Sequence, residues 1–205
     1  MLDDLLPAGF HASQTRGDVA GVVLFDEERA AVEGAVAGRR AEFATGRHCA
    51  RQALRRLGAS PVPLPVGEDR APVWPDRVLG SLTHCTGFRA AAVGWAGGEV
   101  LGIGIDAEPD RPLPAEVIEH VLRTDERLGT GAHDRLVFSA KEAVFKAWWP
   151  LERRWLDFHE ARVTVEQGGV FAVDVLADRT VACRYEGRWG AAGGVLFTLV
   201  TAVRA

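Results

Sequence analysis

Gly102-Ile103-Gly104-Ile105-Asp106-Ala107-Glu108 reads as the end of a buried strand that carries two carboxylates two residues apart. Residues with that spacing point to the same face of a strand, so Asp106 and Glu108 project side by side. Two carboxylates so placed repel unless a cation neutralises them or one takes a proton. An all-oxygen ligand set suits a hard ion such as Mg²⁺, which keeps several waters and takes few protein carboxylates. The plain alternative is a solvated acidic turn at the strand exit.

Downstream, residues 134–149 have the period of a helix, with Pro150 as its stop. Within it Ser139, Glu142 and Lys146 form one stripe, and Val137, Ala140, Val144 and Trp148 form the packing face. As a surface pair at i,i+4, Glu142 and Lys146 would contribute only about 0.3–0.5 kcal/mol. Phe138, Phe145, Trp148 and Trp149, however, make the helix too apolar to lie loose in solvent. Before it come a Pro- and Asp-rich loop (109–114) and a helical segment near 116–122. After it come strands at 162–165, 170–176 and 195–203, with 181–185 a fourth candidate.

Upstream, residues 80–84, 89–95 and 100–105 read as short strands broken by glycine turns. Pro61-Val-Pro-Leu-Pro65 must be extended, because proline fixes its own φ and restricts its predecessor. Residues 42–57 read as a helix, with Cys49, Ala50, Ala53, Leu54 and Leu57 on the apolar face and Gly58 as the stop. Residues 21–25 read as a strand, followed by helix-forming sequence from Glu27. Arg39, Arg40, Arg47, Arg51 and Arg55 accumulate on and before the 42–57 helix. Their planar forks match phosphate oxygens, and a helix N-terminus adds its own positive end. A stripe of arginines is more often just a solvated helix face. Arg70 lies in the loop after the prolines. His84, in Ser81-Leu-Thr83-His84-Cys85, ends a strand where a hydrogen-bonded structural histidine is the ordinary outcome. It cannot readily share a proton with Cys85, since neighbours on a strand face opposite ways.

The whole chain has 24 basic and 28 acidic residues, for a net charge of −4, and a little under half of it is apolar. That balance gives no general attraction to nucleic acid or to anionic membrane, so any polyanion site must be a local basic cluster. The acidic start Met-Leu-Asp-Asp-Leu-Leu-Pro does not resemble a secretory signal. The uncharged Gly-rich tail is shorter than the ~20 apolar residues that a bilayer span needs. Three cysteines, Cys49, Cys85 and Cys183, have no paired spacing and read as reduced thiols. A soluble, cytoplasmic α+β protein follows, with two lobes meeting near residue 105, residues 1–105 and 106–205.

In order and content these segments resemble the 4′-phosphopantetheinyl transferases of the surfactin and enterobactin type. That family carries a Gly-Ile-Asp-x-Glu strand and, further on, a Trp/Phe-Ser/Cys-x-Lys-Glu-Ala-x-x-Lys helix, matched here by 104–108 and by Phe138-Ser-Ala-Lys141-Glu142-Ala-Val-Phe-Lys146. Ser81-Leu-Thr83-His84 matches an upstream Ser-x-Ser/Thr-His element, and residues 39–51 resemble the arginine-bearing helix of the enterobactin-like branch.

The resemblance implies a monomer of two pseudo-symmetric lobes, each a small antiparallel sheet packed on a long helix, with coenzyme A between them. The first lobe would contact the coenzyme A phosphates, and the second would carry the metal and the carrier-docking surface. Asp106, Glu108 and Glu142 would hold Mg²⁺, and Glu142 would take the proton of a serine on an acyl or peptidyl carrier protein. Asp106 and Lys146 would complete the catalytic set, Lys146 by neutralising the pyrophosphate or the departing 3′,5′-ADP. Arg39, Arg47, Ser81, Thr83 and His84 would bind the nucleotide, supported by Lys141. Arg70 would stand where many relatives have a Gly-Lys-Pro lysine. The carrier would dock on 113–128 and around Trp148-Trp149, and no nucleic acid or membrane would take part. The competing readings are a metal-dependent phosphodiesterase or nuclease, and a coenzyme A binding protein without activity. The intact carboxylates and lysines speak against the second of these.

Overall fold

The computed structural model describes residues 2–67, 70–126 and 131–205. Its contacts divide into two compact units, Leu6–Ala96, and Gly97–Ala205 joined by residues 2–5. The expected junction after residue 105 falls inside a continuous strand, Val100–Pro109, so the division lies at 96/97 instead. Each unit is an antiparallel sheet packed on one long helix, which makes the protein α+β as its sequence implies.

In the first unit, strands β1 (Phe10–Arg16), β2 (Val78–Cys85) and β3 (Phe88–Trp95) pair in the order β1-β3-β2. After β1 come a short helix, α1 (Asp26–Arg29), and a long one, α2 (Ala37–Arg56). Cys49, Ala50, Ala53 and Leu54 of α2 are fully buried with Leu64, Ala91 and Val93, as the periodicity demands. The expected strand at 21–25 does not form. Val23 and Phe25 are exposed, and two backbone groups of this segment are met by side chains instead of a sheet. Glu28 Oε2 accepts from the Phe25 N–H, and Arg51 Nη2 donates to the Val23 carbonyl. β1, in contrast, has only Ala12 fully buried, and pairs with β3 through its backbone, so no hydrophobic alternation announces it.

In the second unit, β4 (Val100–Pro109), β5 (Ala161–Val165), β6 (Val170–Val175), β7 (Cys183–Ala192) and β8 (Val195–Arg204) pair in the order β4-β8-β7-β6-β5. Helix α3 (Ala115–Val121) precedes the long helix α4 (Gly131–Glu152), which lies across β4 and β8. β4 and α4 approach backbone to backbone. A Cβ on Gly102 would stand 2.7 Å from the Ala147 carbonyl oxygen, and one on Gly104 would overlap the Ala143 carbonyl and lie 2.8 Å from the Ala147 nitrogen. Pro150 does not end α4 but sits inside its last turn. The helix closes three residues later, where Arg153 takes a left-handed φ of 50° and its N–H still reaches the Trp149 carbonyl at 3.0 Å.

Candidate active site

The end of β4 and the middle of α4 build the acidic cluster. Asp106 is buried, with Lys146 Nζ donating to one carboxylate oxygen at 2.7 Å and Ser139 Oγ to the other at 2.8 Å. Lys146 also donates to the Ile105 carbonyl at 3.1 Å. Ser139 is fully buried and shares a hydrogen bond with Thr198, the β8 residue opposite Asp106. Glu108, two residues on, accepts from Arg135 Nη1 at 2.6 Å. The same guanidinium donates to the carbonyls of Arg111 and Pro112, and so fastens the loop after β4. Arg135 lies outside the sequence motifs. It lies one turn before Ser139 on the stripe that continues to Glu142 and Lys146, and extending that stripe by four residues finds it.

The electrostatics of the three carboxylates interlock. Burial pushes the Glu142 carboxyl above its ordinary range, with Asp106 and Glu108 adding to the rise and Lys146 opposing it. Glu108 is likewise raised, first by burial and then by Asp106, against the pull of Arg135. Carboxylates buried near one another call for a counter-charge, and the donors here are all oxygens, the kind that a hard cation takes. The residues therefore fit Mg²⁺ in kind. Among the described residues, however, no three His, Cys, Asp or Glu side chains are gathered closely enough to hold an ion as they stand.

Beside Glu142 lies a cavity lined by Phe145, Trp155, Leu156, Phe158 and Ala161, with Lys141 in its wall. Phe145 meets Trp155 at 4.9 Å between ring centroids and Trp149 at 5.8 Å. Trp155 is not legible in the sequence, because it lies past the helix end in a segment with no periodicity. Lys141 itself is not presented to solvent. Its Nζ donates to the carbonyls of Val121 and Phe158 and to Glu126 Oε2. Burial lowers its pKa, opposed by the bond to Glu126. Trp148, expected near the docking surface, is fully buried, with Nε1 donating to the Arg154 carbonyl at 2.7 Å. Leu113, at the start of the expected docking stretch, is also buried. Residues 127 and 128 of that stretch lie outside the described residues.

In the first unit, Arg39 and His84 meet at one carboxylate. Arg39 Nη1 donates to Glu42 Oε1, and His84 Nδ1 lies 3.4 Å from Glu42 Oε2. Arg89, opposite His84 on β3, reaches the same oxygen at 3.7 Å and Asp18 at 3.0 Å. Sequence spacing hid both Glu42 and Arg89, since their partners are scattered over 18, 39, 84 and 89. Arg47 and Arg51 are not a solvated stripe. Arg51 pairs with the buried Glu28 at 2.9 Å, while Arg47 donates from Nε to the Leu64 carbonyl and stacks over Phe43. Burial holds the Arg47 pKa down at about 10. Ser81 and Thr83 are buried on β2, and Arg70 is exposed in a tight turn at φ 66°.

Residues 27–94 match the family model for the 4′-phosphopantetheinyl transferase N-terminal domain, and residues 102–198 match that for the 4′-phosphopantetheinyl transferase superfamily. The chain belongs to the 4′-phosphopantetheinyl transferase family. It is 45% identical to the 4′-phosphopantetheinyl transferase Svp of Streptomyces mobaraensis, over an alignment covering 98% of this chain and 88% of that one. It is 40% identical to Npt of Nocardia iowensis, covering 98% and 99%, and 40% identical to PptT of Mycobacterium tuberculosis, covering 89% and 88%. Enterobactin synthase component D of Salmonella typhi is more distant, at 31% identity over 80% of this chain. Among the described residues, no helix is long and apolar enough to cross a membrane.

Proposed function

We propose that the protein, acting as a monomer in the cytoplasm, transfers 4′-phosphopantetheine from coenzyme A to a serine of an acyl or peptidyl carrier protein. The reaction depends on Mg²⁺ and releases 3′,5′-ADP. The observation that carries this reading is the β4–α4 cluster, in which burial, with Asp106 adding, raises both Glu108 and Glu142 while Lys146 stands against Asp106 at 2.7 Å. Names of relatives from three genera, at 40–45% identity over nearly the whole chain, support the same reaction.

Asp106, Glu108 and Glu142 would hold Mg²⁺, which when bound supplies counter-charge to the pyrophosphate. In the transfer, the serine Oγ forms a bond to the phosphorus that bears the pantetheine arm. The bond from that phosphorus to the bridging oxygen breaks, and its electron pair leaves on 3′,5′-ADP. Glu142 takes the serine proton, a task suited to a carboxylate of raised basicity within hydrogen-bond reach. Lys146 offsets charge that gathers on the leaving oxygen. Ser139 keeps Asp106 oriented by donating to it. The apolar cavity beside Glu142 is the seat for the pantetheine arm, and Arg39, His84 and Arg70 are the contacts for the nucleotide phosphates.

The test is intact mass spectrometry of an apo carrier protein incubated with this protein, coenzyme A and Mg²⁺. Addition of one phosphopantetheine, abolished by a chelator, is the expected result. Coenzyme A binding with no addition to any of several acyl and peptidyl carriers would overturn the reading.

A further inference from the structure

Lys141 lies one residue before Glu142, in the wall of the cavity, and is buried to 2% exposure. An ammonium has three N–H bonds and no acceptor. Here the three bonds go to the Val121 carbonyl at the end of α3 (2.8 Å), to Glu126 Oε2 (2.6 Å) and to the Phe158 carbonyl (2.8 Å). Its donors are thus spent inside the protein. Glu126, buried to 3%, is used as fully: Oε2 also accepts the Arg123 N–H at 2.8 Å, and Oε1 accepts the Val163 N–H at 2.7 Å. The pair therefore ties together the end of α3, the 3₁₀ turn Thr124–Glu126, the 3₁₀ turn Phe158–Glu160 and β5. Phe158 and Ala161, in two of these segments, line the cavity together with Lys141, Glu142 and Phe145 of α4. Phe158 also rests on Phe138 of α4 at 5.9 Å.

A buried ion pair is a poor source of net stability, because desolvation offsets its attraction. What this pair supplies is position, since each partner is hydrogen-bonded to backbone that is distant in sequence. We propose that Lys141 and Glu126 are positioning residues that set the wall of the cavity beside Glu142. Through it they control the grip on the pantetheine arm of coenzyme A, not on its phosphates. This rests on the reading of the cavity as the seat of that arm.

The test uses two ligands that share the nucleotide but not the arm. Binding of coenzyme A and of 3′,5′-ADP is measured calorimetrically for the parent, Lys141→Met, Glu126→Gln and the double variant Lys141→Met/Glu126→Leu. Coenzyme A affinity is expected to fall about tenfold in each variant, while 3′,5′-ADP stays within about twofold of the parent. In carrier modification, KM for coenzyme A should rise more than kcat falls, and Lys141→Arg should restore part of the loss. Equal weakening of both ligands in Lys141→Met, with Glu126→Gln unchanged, would mean a direct phosphate contact and overturn the proposal. Parental affinity in every variant would overturn it too. If Lys141→Met does not fold, Glu126→Gln and the apolar double variant give the same answer, because replacing a buried pair by packed apolar groups is often neutral. A parent protein that binds neither ligand would overturn the functional reading beneath the proposal, and the proposal with it.

Discussion

Asp106 has both of its oxygens engaged, one by Lys146 and one by Ser139, and this makes its surroundings sensitive to single atoms. Asp106→Ala should be almost inactive in the carrier mass assay, since it removes several kcal/mol of transition-state stabilisation. Ser139→Ala keeps the carboxylate but frees its orientation, and a loss of about 10–100-fold in activity is expected. Glu142 gives a prediction with a sign that can be checked. Its folded-state pKa is raised, so between its ordinary and raised values the folded protein binds a proton that the unfolded chain does not. Stability therefore falls as pH rises through that window. Glu142→Gln should abolish activity yet raise the unfolding temperature of the metal-free protein on the alkaline side of the window and leave it unchanged in acid. A parallel shift at every pH would contradict the raised pKa. Asp106, Glu108, Glu142 and Lys146 are legible in the sequence because the periods of one strand and one helix put them on common faces. Glu42, Arg89 and Glu126 are not, because what they touch is set by tertiary structure across tens of residues.

At the scale of elements, β4 and α4 are the rigid frame, and their contact depends on missing side chains. Gly104→Ala would drive a methyl into the Ala143 carbonyl, which belongs to a helix backbone and cannot swing aside. A destabilisation of about 3 kcal/mol or more is expected in chemical denaturation, larger than a methyl addition usually costs in a core. A smaller cost would mean that α4 can slide away from β4. The elements that sequence reading recovers are those buried by their own pattern: α2 through its Cys49–Leu57 face, β3 and β8 through continuous apolar runs. It loses β1, which is held by backbone pairing, and the 21–25 segment, whose valines and phenylalanine suggest a strand but two of whose backbone groups are met by Glu28 and Arg51. It also ends α4 too early, because a proline in the last turn forfeits one hydrogen bond without breaking the helix that precedes it.

For the molecule as a whole, the two matched family segments, 27–94 and 102–198, fall one in each unit. A ligand that binds only the folded protein stabilises it by mass action, by about 2.7 kcal/mol at a hundredfold excess over Kd. Coenzyme A with Mg²⁺ should accordingly raise the unfolding temperature in a concentration-dependent way, and chelation should reduce that rise. An unfolding temperature indifferent to coenzyme A at millimolar concentration would contradict binding to the folded state.

Residues 2–5 fold with the second unit, where the Asp3–Leu5 turn packs on β7 and Leu2 is buried to 1% exposure. During vectorial synthesis they leave the ribosome well over a hundred residues ahead of β7 (Cys183–Ala192), which they pack against. They must therefore wait, with Leu2 uncovered, while the first unit and most of the second are made. The slowest stretch of translation between them sets how long this apolar anchor is available to chaperones or to other nascent chains, so yield of the native protein should respond to codon choice far from either end of that contact.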